Sequence, residues 1–450
     1  MRMISKLPVT VLCFFLGISY AFCATPKEPA QYKLSLEDTI SLAFKNNKDI
    51  QIQEEEINVA RANILSAYGR FLPKVNLNAG YTHDGAVLNI PVTGMKKDEG
   101  VFSGYTNDNK VGVSIDETVY NGGADFANFK QAQLGLRVQE ETLRSRKLDV
   151  VLEAKRLYYG LLLAYETERI ASELVAQAQS HYEDVKKKFA QGSASKFELL
   201  QSKVQVSKLL PERVKSKNAI DSIMADLKKL LYLKMQDSIE VKEKLAFSPI
   251  QLDEEGFLKN AYMNRPEMNL KLLGIDINKW QIQTARAGGL PQVNAGADYN
   301  YRSNNLDNMF NKRHNDWSIG FSVSIPIFDA FSTKAKVQEA KARYAQAHLD
   351  KENLNEQIAV DIKKACLDLK EAFSIIDATK DDIEEAREAL KISEVSFNSG
   401  EGTNLDVLDS QVTLSQIEKN YSEAVYDYLM AGAFLDRSIG RNYFAGGGKK

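Results

Sequence analysis

The stretch from Phe397 to Ser415, FNSGEGTNLDVLDSQVTLS, decides how this chain is read, because Phe189 to Ser207, FAQGSASKFELLQSKVQVS, repeats its pattern. In each copy a long helical pattern meets a glycine (Gly192, Gly400). A new helix then opens at a hydroxyl residue with an acid three positions on, Ser195 with Glu198 and Thr403 with Asp406. A glycine past a helix end adopts the left-handed conformation that closes it, and a hydroxyl followed by an acid at that spacing is a capping box. Both stretches are therefore expected to be helix-turn-helix tips. Gly192, Ser193 and Ser195 lie in the first, near 189–198, and Gly400, Gly402 and Thr403 in the second, near 397–406.

Working outward, the correspondence continues. Val111-Gly-Val-Ser-Ile115 matches Ile319-Gly-Phe-Ser-Val323 at the offset of the tips, and Leu72-Pro73-Lys-Val75-Asn76 matches Leu290-Pro291-Gln-Val293-Asn294 at a longer one. The change of offset falls between Thr82 and Lys110, against Asn300 to Ser318, which marks exposed loops that tolerate length change. The chain thus divides into a first repeat, 34–232, a charged linker with Pro249 over 233–252, a second repeat, 253–440, and a flexible tail, 441–450.

Inside each repeat the hydrophobic period changes twice. From Leu36 to Leu72 it is helical, and Pro73 ends the helix. Val75, Leu77, Ala79 and Tyr81 then alternate with Asn76, Asn78, Gly80 and Thr82, which is a strand with one apolar face. Strands are expected over about 75–83, 111–119, 293–301 and 317–325. Proline-free helical patterns follow, Asp125 to Ala190 and Phe331 to Ser399, each about 100 Å long at 1.5 Å per residue. They exceed a compact domain and must pack side by side as long antiparallel coiled coils. The return helices span about Ser195 to Tyr232 and Asn404 to Ile439; Pro211 should kink or break the first, and Pro266 should open a helix.

Composition bounds the function. Arg2 and Lys6 precede an apolar run, Leu7 to Tyr20, with cleavage suited near Cys23, so 1–23 reads as a signal peptide. A membrane anchor is disfavoured by the shortness of the run, and lipidation of Cys23 by Phe22 before it. Without the leader the net charge of −2 becomes about −4, which gives no reason to expect a nucleic-acid partner. The four histidines are scattered, no phosphate loop or nucleophile elbow occurs, and neither an enzyme nor a cofactor or metal is expected. Mean hydropathy is −0.33 and no later apolar run crosses a bilayer as a helix, so any membrane contact falls to the strands.

Those strands have the length of transmembrane β-strands, about 9 to 11 residues. Tyr81, Tyr299, Tyr301 and Trp317 near one end, with Tyr120 and Phe328 near the other, are placed as interfacial girdles would be. A soluble sandwich also gives alternating strands, but there are too few to cover an apolar face. Four cannot close a barrel, and open edges in lipid are costly, so a spanning chain must oligomerise.

With the paired Leu-Pro entries into a strand, the turns Val119-Tyr-Asn-Gly-Gly123 and Ile327-Phe-Asp-Ala330, and the two Phe-x-x-Gly-x-x-Ser/Thr tips, the chain resembles the TolC family of outer-membrane efflux proteins from about Leu34 to Ile439. The resemblance implies a mostly α fold with a small β part. It implies a homotrimer in which each protomer gives four strands to a twelve-stranded barrel in outer-membrane lipid and long helices to a periplasmic tunnel. It also implies the exit duct of a tripartite efflux pump or type I secretion system, docking by its tips (Gly192, Ser193, Ser195, Gly400, Gly402, Thr403) to a periplasmic adaptor fed by an inner-membrane transporter. The alternatives are a periplasmic adaptor, which predicts a single hairpin flanked by soluble β-domains, and a secreted coiled-coil scaffold, in which the alternating segments are only short hairpins.

Asp406 and Asp409 are similar to aspartates that ring the family's periplasmic constriction, where such a ring would attract cations. For Asp406 the capping reading stands beside the ring; Glu198 occupies its place in the first copy. Opposite Asp409 the first copy has Gln201, which leaves the lumen as its reading. The basic residue common in the family before these aspartates is Gly402 here, so a closing network through it is not expected. Phe189 and Phe397 read as packing residues.

Overall fold

A computed structural model describes residues 31–83, 88–90, 101–103, 107–249, 251–303, 306–310 and 315–441. The leader read over 1–23, Cys23 and the tail from 442 lie outside the described residues.

The chain opens with β1 (Gln31–Leu34), and Ser35 caps α1 (Leu36–Asn46) in a reciprocal box with Asp38. The helical pattern read as continuous from Leu36 is split at Asn47, which is extended (φ −62°, ψ 122°) and whose side chain accepts from Asp49 N and Ile50 N to cap α2 (Lys48–Tyr68). A short polar side chain competing for backbone donors favours a cap over a helix interior, and hydrophobic periodicity does not register it. A 3₁₀ turn, Gly69–Phe71, leads to Pro73 and β2 (Lys74–His83). The short β3 (Leu88–Ile90) and β4 (Val101–Ser103) pair with each other, and β5 (Asn107–Asn121) returns. Then α3 (Ala124–Ala190) and α4 (Lys196–Leu231) form the first hairpin.

In the second half α5 (Glu254–Asn264) and α6 (Pro266–Ala287) precede β7 (Gln292–Ser303) and β8 (Asn315–Ser324), with α7 (Ser332–Ser399) and α8 (Asn404–Ser438) as the second hairpin. Pro266 is the first residue of α6, where its missing N–H is no loss. Pro211 does not break α4. It lies in an exposed stretch of the helix, where water can serve the carbonyl that the proline cannot reach.

The segment read as a linker holds β6 (Ser238–Val241), paired in parallel with β1 from Gln31↔Ser238 to Leu34↔Val241. Ile239 is buried with Leu34, Ala43, Val150, Leu161, Leu227 and Leu231, while Leu245 and Phe247 pack on a second core around Ile358, Ile362, Leu369 and Tyr428. The connection thus girdles both halves. Beside it Arg437 joins Asp149 at 2.7 Å and Glu267 at 2.5 Å, and Arg265 joins Asp361 at 2.8 Å.

The main sheet is antiparallel in the order β2-β5-β7-β8. Its register stacks Leu77, Val113, Tyr299 and Trp317 on one face and Asn76, Ser114, Asp298 and Ser318 on the other, since directly opposed residues share a face. Among the described residues nothing covers the apolar face: Leu77 is 76% exposed, Phe321 77% and Trp317 70%. No helix among the described residues is long and apolar enough to cross a membrane.

The long helices have 67 and 68 residues, about 100 Å each. Below the girdle α4 packs on α3, α3 on α8 and α8 on α7. The middle pair buries residues on two sides, such as Val175, Ala178, His181 and Val185 of α3 and Val407, Leu408, Gln411 and Leu414 of α8. The outer pair buries one narrow stripe each.

Candidate functional site

The hairpin tips are built by backbone rules before any side chain acts. In the first, Gly192 is left-handed (φ +78°), and Ser193 N donates to Lys188 O at 2.9 Å, spanning the last turn of α3. In the second, Gly400 (φ +82°) plays that part and Glu401 N donates to Ser396 O at 2.9 Å. Both are Schellman closures. Each return helix opens with a reciprocal box. Ser195 N donates to Glu198 Oε2 at 2.6 Å and Glu198 N to Ser195 Oγ at 3.2 Å; Thr403 N donates to Asp406 Oδ2 at 2.8 Å and Asp406 N to Thr403 Oγ1 at 3.2 Å. The backbone N–H of Thr403, then its hydroxyl, hold the Asp406 carboxyl below the usual carboxylate range, and Ser195 does the same for Glu198.

Gly402 has a steric reason. A Cβ there would lie 3.0 Å from Ser396 Cβ and 3.1 Å from Phe397 N, because Gly402 N folds back to donate to Ser396 O at 2.9 Å. A side chain can start at this position only if Ser396 and the Phe397 backbone give by a few tenths of an ångström. Asp406 is thus engaged in its cap, whereas Asp409, one turn on, is exposed and makes no ion pair or side-chain hydrogen bond among the described residues. It lines an open groove between α4 and α8 with Phe197, Leu200, Val204, Lys208 and Val412.

The sequence reading missed what ties the tips together. Asn404, the first residue of α8, is 2% exposed. Its Nδ2 donates to Gln201 Oε1 at 2.9 Å, and its Oδ1 meets Ser202 Oγ at 2.9 Å and His181 Nε2 at 2.7 Å. Since Oδ1 only accepts, the imidazole carries its proton on Nε2. Burial pulls the His181 pKa down, opposed by the hydrogen bond to Asn404. Phe397 is packed as expected, 4.9 Å from the His181 ring centroid, with Lys188 Nζ 3.9 Å over its own ring and donating to its carbonyl at 2.6 Å. Phe189 stays 40% exposed. The available signal was a difference between the copies, since Asn404 stands where the first tip has Lys196. Among the described residues no group of three or more His, Cys, Asp or Glu could hold a metal.

An uncovered apolar sheet at one end of two long hairpins, and a capped, carboxylate-bearing tip at the other, define a strand-anchored helical duct. The chain belongs to the outer membrane efflux protein family, whose model matches residues 39–231 and 257–441. It is similar to the alkaline protease secretion protein AprF of Pseudomonas aeruginosa, 21% identical over 92% of this chain and 86% of that one. It is likewise similar to the outer membrane protein TolC of Vibrio cholerae, 21% identical over 90% of each. Among solved structures, the CmeC outer membrane channel of Campylobacter jejuni shares the fold at a TM-score of 0.80 and 18% identity, over 90% of this chain and 85% of that one. The protein is an outer-membrane exit duct with its helices in the periplasm; the adaptor and scaffold alternatives are not favoured.

Proposed function

We propose that three copies form the duct, each giving β2, β5, β7 and β8 to one twelve-stranded barrel and its hairpins to one tunnel. The observation that carries this is the sheet: among the described residues its apolar face is bare and its outer strands, β2 and β8, each have one unpaired edge. In lipid each such edge group costs several kcal/mol, and pairing β8 of one copy with β2 of the next removes both edges. The parallel order of elements in the two halves supports reading 34–232 and 253–440 as repeats joined across 233–252.

In this reading the tips meet a periplasmic adaptor fed by an inner-membrane transporter, and Gly192, Ser193, Ser195, Gly400, Gly402 and Thr403 shape the docking ends. Asp409, without an ion pair or side-chain hydrogen bond among the described residues, lines the aperture with its carboxylate; Asp406 adds charge there while it caps α8. The duct serves efflux or type I secretion, as protease secretion is named for AprF. Native protein should fractionate with the outer membrane and run as a trimer in mild detergent. A soluble periplasmic monomer would overturn the proposal.

A further inference from the structure

The apolar face of the sheet ends at Tyr120, Val293 and Val323, which lie opposite one another. Helices begin just below it, α3 at Ala124 and α7 at Ser332, and each carries a lysine over an aromatic ring close to its start. Lys130 Nζ stands 5.5 Å from the centre of the Phe126 ring, which meets Trp280 edge-on at 5.7 Å. Lys334 Nζ stands 5.9 Å from the centre of the Phe331 ring, which meets Phe328 edge-on at 5.7 Å. Both distances are within the range of a cation–π contact. The rings are not buried: Phe126 is 50% exposed and Phe331 66%. Neither lysine makes an ion pair among the described residues, and Lys130 has only Gln133 Oε1 at 3.3 Å.

Both pairs face out of the duct. Arg144 lies 18 residues below Phe126, five turns at 3.6 residues each, and donates to Asn264 O at the end of α5 at 2.6 Å. Lys363 lies 29 residues below Lys334, about eight turns, and pairs with Glu254 of α5 at 3.0 Å. With Leu245 and Phe247 of the girdle, α5 adds a second layer to this side of the long helices, and such a layer fits only outside an open lumen. At 1.5 Å per residue Phe126 and Lys130 stand about 3 and 9 Å below the start of α3, and Lys334 about 3 Å below that of α7. Headgroups occupy about 5 to 8 Å on each side of the hydrocarbon core, and a lysine stem lets its ammonium climb toward them. Each lysine here leans on a ring three or four residues nearer the membrane. The acids at this level are engaged, Asp125 by Asn121 Nδ2 at 2.6 Å and Asp329 by Thr333 N at 2.7 Å.

We propose that Lys130 and Lys334 bind the phosphates of anionic phospholipids in the leaflet that faces the periplasm, with Phe126, Trp280, Phe328 and Phe331 against the glycerol and the upper acyl carbons. The occupant is a lipid and not a free anion, because the cations stand on exposed rings at headgroup depth, and a ring gives apolar contact that a bare phosphate has no use for. Deeper on the same side, Arg137 and Lys279 line a cleft of about 660 Å³ with Trp280. They lie about 20 Å below the start of α3 and about 12 Å before the end of α6, out of reach of a headgroup. The site rests on the outer-membrane duct and on no contact between copies.

The test uses the full-length protein in phosphatidylcholine vesicles with a trace of spin-labelled lipid. Electron spin resonance should show labelled phosphatidylglycerol held at the protein in preference to labelled phosphatidylcholine. Lys130→Gln with Lys334→Gln should lower that preference by about fivefold, the worth of a lysine near an anionic surface, with the amount of held phosphatidylcholine unchanged. Arg137→Gln with Lys279→Gln should leave the preference as it is, and inorganic phosphate should reduce it no more than chloride at equal ionic strength. No preference in the wild type, a preference that survives the loss of Lys130 and Lys334, an equal loss from the deeper pair, or specific competition by phosphate overturns the lipid site and leaves the duct standing. A wild-type chain that holds neither labelled lipid is not in the membrane, and overturns the duct instead.

Discussion

The two tips share a backbone and differ in what they hold. Both close on a left-handed glycine and reopen on a hydroxyl and an acid. In the first, Lys196 and Phe189 face solvent; in the second, Asn404 and Phe397 are buried against the first hairpin, and Gly402 lies flat on the end of α7. The shared part is what any such turn needs, so function is to be sought in the difference. The second tip is the one latched, and its latch is a side-chain amide rather than an ion pair.

The strongest way to break the comparison is Gly402→Arg. The new side chain has to displace Ser396 and the backbone of Phe397, and overpacking of this kind costs about 1 to 3 kcal/mol. Ala194→Arg at the matching place in the first tip should cost less, because a Cβ already stands there. Chemical unfolding of the two variants checks the order.

Next is Asn404→Ala, which strands the buried His181, while Ser202 Oγ keeps its bond to Glu198 O at 2.9 Å. Leaving buried groups without partners costs about 1 to 3 kcal/mol, whereas Lys196→Ala, exposed at the equivalent position, should stay within about 0.5 kcal/mol. Equal effects in the same unfolding assay would show that the latch contributes nothing.

The latch should also feel acid. Burial lowers the His181 pKa, so below the ordinary imidazole value of about 6.5 the unfolded chain takes up a proton that the folded one refuses. Stability from this group is therefore lost as pH falls below about 6.5, at no more than about 1.4 kcal/mol per pH unit, and the loss levels off once the folded imidazole protonates. His181→Gln should flatten the dependence of the unfolding midpoint between pH 7 and 5.

The smallest effect on stability belongs to Asp409→Ala, which tests the aperture role proposed for its carboxylate. No bond is lost, so the unfolding midpoint should hold while cation selectivity falls in planar bilayers. Asp406→Ala should instead lower stability by loss of its cap. If selectivity and conductance are unchanged in the Asp406→Ala, Asp409→Ala double variant, both residues return to a purely local role.

Much of this architecture was legible because its signals are local. Alternation at Val75, Leu77, Ala79 and Tyr81 gave a strand, absence of proline gave the long helices, and Ser195 and Thr403 gave the caps. Where one element was hidden, its signal was short or cross-chain. Asn47 splits a helix by a cap that periodicity ignores. A four-residue β6 with one buried isoleucine is too brief to stand out in a charged segment. Pro211 reads as a breaker only if its neighbourhood is dry, and it is wet. His181 and Asn404 are 223 residues apart, and nothing in either neighbourhood announces the other.

The order of strands in the main sheet also bears on when the sheet can exist. β5 pairs with β7 across the whole of the first hairpin and the girdle, from Asn109↔Ser303 to Asn121↔Gln292. The helical hairpins close through near neighbours in the chain, and contacts of that kind form fast, while pairings between distant segments form late. During export the first hairpin can therefore assemble before β7 has emerged, and the greasy face is not composed until roughly three quarters of the polypeptide has crossed. That timing keeps the part meant for lipid in pieces while the chain is still in water.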